Sequence, residues 1–487
     1  MRSNFHTRIE PRPRGPVLLE VGECFCRNDR RRMESQNSTA ESTRDWLAPG
    51  LRNAFWFVTF NALSYQIVLG SPMLLYAKHL NASATVLGII AGMMPLLVIF
   101  QIPAARHIGR VGYKRFVFAG WGTRVTLIFL VALVPLTGRF LDPGNRIALL
   151  MFLLFGFNLA RGISSAAWLP WITALVRPEV RGRYLAWDSA CVNAGSCLTL
   201  LLAGWAIGSR PTEWRFSAVF LFSATMGAVS LSFLRRIPDA AGVAQENRNP
   251  NPVPWGAIAA HPPFRKLLWM NIAWAAAYGG LGPFTVAYLK TAAGMTENHI
   301  LLVTAISYLG GLSGLALFGG RLDRHGSKPV LTMTLLGWVV LLAGWALLAG
   351  GVVPARLALV LMLQLGMGLG YAVFSMANTR LAMAVVPIMG RDHFFALFSV
   401  VSSVALGIAP VLWGVGIDAI GSGETSRAGF AFNRFSLFFL LVTAACALTA
   451  ALSRRLDEPH AADMEDLLRD LLARTPLRSW MRLWPRG

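Results

Sequence analysis

Apolar residues fall in runs too long for the core of a soluble domain, and these runs recur along the whole of this 487-residue chain. Runs of about 20 residues, the length that crosses a bilayer as a helix, begin near Ala54, Ala84, Phe116, Ile147, Leu185, Phe216, Leu267, Ile300, Val330, Leu357, Phe394 and Phe430. They predict an all-α polytopic membrane protein of about 12 transmembrane helices. The longest connection, Arg235 to Arg265, contains N-R-N-P-N-P-V-P and reads as an extended linker that separates six spans from six. The expected organisation is a polar tail over 1–50, a six-helix bundle over 51–234, a linker over 235–265, a second six-helix bundle over 266–453 and a second tail over 454–487.

Composition agrees with the pattern: 55% of residues are apolar and only 14% charged, which excludes an ordinary soluble protein. The formal net charge of +21 is a statement about topology. Placing both tails and every even-numbered loop in the cytoplasm collects about 33 of the 45 basic residues, against about 9 on the other side and about 3 within spans. Both termini are therefore expected in the cytoplasm, with the basic loops on anionic lipid. A nucleic-acid partner would need these residues gathered on one soluble surface. The Ala-, Gly- and Arg-rich composition suggests a bacterial source and its inner membrane, and the chain reads as a monomer in the cell membrane.

The loop between the eighth and ninth predicted spans is G-G-R-L-D-R-H-G-S-K-P, from Gly319 to Pro329. Gly319, four residues before Asp323, permits close helix approach, and Gly326 supplies the backbone freedom of the reversal. Arg321, Arg324 and Lys328 belong in the headgroup layer. A degraded copy stands about 214 residues earlier, as Ala105, Gly109, Arg110, Gly112, Lys114 and Arg115. Two further basic motifs repeat in the same way: P-E-V-R-G-R, from Pro178 to Arg183, and P-I-M-G-R, from Pro387 to Arg391.

The pattern G-x-x-x-D-R-x-G-x-K resembles the loop signature of the major facilitator superfamily, found between the second and third helices of each six-helix half. P-E-V-R-G-R resembles that superfamily's loop between helices four and five. The resemblance covers about Ala54 to Leu452 and implies two pseudo-symmetric six-helix bundles that rock around a midplane site. The first copy of the signature has Ala105 for its leading glycine and Gly109 for its acid, so the acid's role carries over to the second half alone. Arg181, Arg183 and Arg391 are expected at the inner gate, where Asp188 and Asp418 are candidate carboxylate partners.

A buried hydrophilic group in a membrane is costly unless it lines water, ligand or another polar group. In the fourth span Asn158, Arg161, Ser165 and Trp168 recur at intervals of three and four and share one helical face. The tenth repeats this with Gln364, Tyr371, Ser375 and Asn378, and the seventh with Asn271, Trp274 and Tyr278; in the first, Asn61 and Tyr65 are one turn apart, with Gln66 adjacent. The resemblance implies that helices one, four, seven and ten line the central cavity, which is where these stripes fall. The bland alternative is that they are interhelical hydrogen-bond glue, worth on the order of 0.6 kcal/mol each. Arg161 resists that reading, since a mid-span guanidinium demands an anion, carbonyls or water. Arg124, nearer the cytoplasmic end of the third span, is expected to snorkel or to pair locally.

Acids are scarce within the spans, and Asp188 is the candidate for a coupling proton. The fifth span lacks the proline that would complete an antiporter-type pattern, whereas Gly407, Pro410, Gly414 and Gly416 give the eleventh a partial likeness to it. Cys24, Cys26, Cys191, Cys197 and Cys446 form no disulfide framework, and the eight histidines lack zinc spacings. No metal, cofactor or enzymatic constellation is expected. The first tail reads as disordered, with Met33 an alternative start, and Asp463 to Trp484 as short amphipathic helices on the membrane surface. The functional expectation is a secondary transporter of a small organic solute, anionic or proton-coupled, the alternative being a transporter-like sensor or scaffold without flux. The aromatic residues of the cavity favour a ligand with a flat or apolar face.

Overall fold

The computed structural model describes residues 50–177, 180–239, 261–385 and 391–456. The expectations for the two tails, the core of the linker, Pro178 and Pro387 fall outside them. Eleven described helices are long and apolar enough to cross a membrane: Arg52–His79, Ala84–Val111, Tyr113–Arg139, Pro143–Ile172, Tyr184–Ile207, Glu213–Arg236, Glu297–Phe318, Ser327–Ala349, Leu357–Met383, Leu397–Ile420 and Arg434–Arg454. The seventh span is made of two pieces, Pro262–Tyr278 and Leu281–Thr291, of 17 and 11 residues. Between spans eleven and twelve the all-α pattern yields to a small antiparallel hairpin, Thr425–Arg427 with Phe430–Phe432. Phe430, expected to open the twelfth span, is therefore a hairpin residue; the span begins at Arg434 behind a capping box formed by Asn433 and Ser436.

The break in span seven has a partner in span one. There an 18-residue piece, Arg52–Leu69, ends at Gly70, whose extended backbone leads into Ser71–His79 with Pro72 in its first turn. Proline has no N–H to give to the preceding turn, so the helix must restart. In span seven a 17-residue piece ends at Gly279–Gly280, and Pro283 stands in the turn that follows. The breaks lie at matching depths in the two halves.

Packing repeats in the same register. Span one packs on spans five and six, and span three on four and six; span seven packs on eleven and twelve, and span nine on ten and twelve. The loop signatures also superpose in conformation, because Gly112 and Gly326 both take a positive φ, +84° and +83°, between consecutive spans. A side chain disfavours that region of φ, so this is the step at which both copies need glycine.

We call the face bearing the loops after odd-numbered spans the odd face, and the opposite one the even face. The bundles meet through span two on span eleven and span five on span eight. Their closest approaches lie toward the odd face. A Cβ at Gly88 would collide with the Pro410 carbonyl, one at Gly92 with that of Gly407, and one at Gly414 with that of Ala84. Ser71 and Thr304 share a hydrogen bond of 2.9 Å across the same seam. Toward the even face span two is bare: of Gln101–Val111 only Ala104 and Ile108 are buried. Space is open around Gly109 and Gly112, so neither makes the close contact expected of the basic turn in this state.

One gate assignment is corrected. Asp418 stands near the odd-face end of the helix Arg391–Ile420, whereas Arg181 and Arg183 open the helix Arg181–Ile207 at the even face. A helix length separates them, and Asp418 bonds instead to the start of span two.

Candidate functional site

The four polar stripes divide into side chains satisfied by neighbouring helices and side chains left open. Asn271 and Asn378 belong to the first group, forming a reciprocal amide pair between spans seven and ten with bonds of 3.2 and 2.8 Å. Asn271 also donates to the Leu267 carbonyl at 2.9 Å. Asn158 is buried and donates back to the Leu154 carbonyl, while its Oδ1 has no partner. Ser165 accepts from Gln101 Nε2 at 2.7 Å, and Asn61 Oδ1 accepts from Trp121 Nε1 at 3.2 Å. Trp168 sits among Phe57, Trp121 and Trp171. Gln66 is buried and accepts from the Tyr308 hydroxyl at 2.9 Å, a bond from the first bundle to the second.

Arg161 differs from these. Its side chain is partly buried at mid-span and has no hydrogen-bond or ion-pair partner among the described residues. Tyr65, on span one, is partly buried and packs against the apolar core. Arg124 does not snorkel: it is buried, its guanidinium carbon 4.7 Å from the Trp121 ring centroid and 4.9 Å from that of Phe157. Two rings thus replace the hydration a buried cation would lose. Asp188, on span five, is partly buried, and its Oδ1 has no hydrogen-bond partner.

The second bundle contributes rings. Trp274 stacks on Phe374 at 3.7 Å and on Tyr278 at 5.3 Å, and Tyr278 stacks on Tyr371 at 4.7 Å. Tyr371 ends the stack and is 41% exposed. Gln364 and Ser375 share its helical face, the first partly buried and the second exposed. Behind the stack Trp338 lies 4.8 Å from Trp274, filling the space that Gly370 leaves by having no side chain.

Tyr308 and Trp338 are residues that the sequence reading missed. Both stand on helices outside the four assigned to the cavity. For Tyr308 a signal existed, since Thr304 and Tyr308 lie one turn apart on one face of span eight, and both bond across to span one. Of the basic turns, Ala105, Gly109 and Arg110 are exposed on span two; Gly319, Asp323 and Arg324 lie in the last turns of Glu297–His325, and Lys328 follows Gly326 at the start of span nine. Arg391 opens the helix of span eleven. Among the described residues no group of three or more His, Cys, Asp or Glu could hold a metal ion.

Comparison with known proteins places this geometry. No curated protein sequence matches the chain. Solved structures match it in fold. A point mutant of the nucleoside transporter NupG is 12% identical, covering 83% of this chain and 98% of its own, with a TM-score of 0.63. A bacterial homologue of the iron transporter ferroportin, in an inward-facing state, is 15% identical over 83% of this chain and 97% of its own, with a TM-score of 0.61. The xylose transporter XylE from E. coli, in an inward-open conformation, is 14% identical over 85% and 98%, with a TM-score of 0.62. The sequence model described as Major Facilitator Superfamily matches residues 54–317 and 275–487. Spanning nearly everything beyond the first tail, that match shows that the chain belongs to the Major Facilitator Superfamily.

Proposed function

We propose that this family member is a secondary active transporter carrying a small organic anion with a planar face, by alternating access of one central site to the two sides of the membrane. The observation that carries the reading is Arg161, a cation at mid-span without a partner among the described residues. A guanidinium held there costs free energy unless an anion or water completes it, and a carboxylate or phosphate completes it bidentately. Tyr371, the exposed end of the aromatic stack, offers the complementary surface for a ring. On this reading the excess of basic residues puts the even-face loops and both termini in the cytoplasm, so that this conformation faces inward.

Thermal stabilisation of the purified protein tests the reading, because a ligand at about 100 times its Kd raises stability by about 2.7 kcal/mol. Aromatic carboxylates and phosphates are expected to stabilise the protein more than aliphatic anions or neutral aromatics, and Arg161→Gln is expected to abolish the effect. Stabilisation by neutral compounds alone, indifferent to that substitution, overturns it. Flux of the hits into proteoliposomes separates a carrier from a sensor that binds without moving its ligand.

A second reading concerns coupling, and it is favoured by the buried, unpartnered Oδ1 of Asp188. A carboxyl so placed is suited to carry a proton with the substrate. Transport that responds to a proton gradient in the wild type and loses that response in Asp188→Asn is the expected result. An unchanged response assigns coupling elsewhere.

A further inference from the structure

The start of span two draws its cap from two places, its own Ser83 and a carboxylate of the other bundle. Ser83, the residue that precedes it, accepts only from the Val86 N–H, at 3.3 Å. The two N–H groups before that one point at Asp418, which lies in the other bundle. Asp418 Oδ1 accepts from Ala84 N at 3.0 Å, and Oδ2 accepts from Thr85 N at 2.8 Å and from the Thr85 hydroxyl at 2.7 Å. The first turn of a helix leaves such donors unsatisfied and carries partial positive charge, so a carboxylate is its natural cap. Here the cap comes from a residue 333 positions away in the chain.

Its position gives the contact a consequence. Asp418 stands one turn beyond Gly414, at the odd-face end of the glycine seam in which Gly88, Gly92 and Gly414 meet backbone of the opposing helix. Rocking that opens the odd face must separate Asp418 from span two before those backbones can part. All three bonds then break together, because they share one carboxylate. Lys78 and Arg434 line the same cleft, and their charges favour the ionised carboxylate that the cap requires.

We infer that Asp418 is a latch that holds the odd face shut, stabilising this conformation over its oppositely open counterpart by capping span two across the bundle interface. The inference rests on the alternating-access reading above, and its test is chosen so that the two can fail separately. Spin labels at Phe140 and Val352, exposed on odd-face loops of the two bundles, are introduced with the five natural cysteines replaced. Double electron–electron resonance then reports their separation in the otherwise intact chain.

Asp418→Ala is expected to raise the population of the longer, odd-face-open distance about five- to tenfold, the ratio that follows from losing one well-formed cap. Thr85→Val, which removes one of the three bonds, should give a smaller shift in the same direction. Asp142→Ala is the control, since Asp142 caps span four within its own bundle through Asn145 N. It should lower the melting temperature without moving the distances. An Asp418→Ala protein that melts lower but keeps the wild-type distribution overturns the latch. Gly92→Leu, a wedge driven into the seam against the Gly407 carbonyl, isolates the other failure. If it lengthens the distance while Asp418→Ala does not, the latch alone is wrong; if neither does, the rocking on which the latch rests is wrong too.

Discussion

Replacing Asn378 by leucine decides whether the amides of spans seven and ten hold helices together or hold ligand. The substitution deletes both bonds of the reciprocal pair, 3.2 and 2.8 Å long. It does not strand Asn271 completely, because the Asn271 amide still donates to the Leu267 carbonyl at 2.9 Å. Only the Asn271 Oδ1 loses its donor. Interhelical hydrogen bonds in membranes average about 0.6 kcal/mol with a maximum near 1.7, so two bonds with one donor retained should be worth about 1 kcal/mol. A double-mutant cycle over Asn271→Leu and Asn378→Leu, read by reversible denaturation in mixed micelles, should return a coupling energy of that size. The ligand-induced stabilisation described above should survive each single substitution. Additive single effects would show that the pair does not exist in the protein. Unchanged apo stability together with lost ligand stabilisation would refute the reasoning, by making these residues ligand contacts instead of glue.

Three other substitutions test particular contacts. Gly370→Ala places a methyl against the indole of Trp338 and should cost about 1–3 kcal/mol by overpacking, with a tryptophan emission shift as the ring and its neighbour Trp274 move. Glu213→Gln leaves the buried Arg146 without the carboxylate that accepts its 2.7 Å bond; because the Glu213 side chain is 35% exposed, the melting curves should report a loss of only about 1–2 kcal/mol. Arg124→Met replaces a buried cation held between two rings by an apolar side chain of similar length. Apo stability should stay level or rise, as commonly follows removal of a buried charge; a loss above about 3 kcal/mol would show that the charge has a partner stronger than the rings.

The fold was legible in the sequence because each of its determinants is local. Runs of apolar residues report spans directly, and the turn glycines Gly112 and Gly326 report backbone that only glycine takes easily. The breaks were less visible. Gly70 with Pro72, and Gly279–Gly280 with Pro283, are breaker signals inside runs apolar enough to read as continuous helix. The site was legible as faces and not as partners. Periodicity shows that Asn271 and Asn378 look inward, but nothing along the chain shows that they meet each other. Asp418 shows the same limit, since counting from the even face puts it at the far end of its helix, yet the N–H groups it caps come from a turn at the beginning of the other bundle. Such contacts depend on how two bundles are rotated against each other, which is a property of the conformational state and has no local signal.

The repeat preserves backbone and divides chemistry, and this division bears on mechanism. Breaks, turns and packing partners recur from one half to the other, whereas the charged groups Arg124, Arg161 and Asp188 belong to the first bundle and the Trp274–Tyr278–Tyr371 stack to the second. On the proposed reading, an anion with a ring satisfies neither bundle alone. Its charge is drawn to one and its face to the other, so binding energy is released fully only when the two surfaces approach. A ligand shifts a conformational equilibrium by its differential affinity for the two states and by nothing else. A site split between the moving bodies supplies that difference, while a site contained in one body, whatever its affinity, would leave the rocking unchanged.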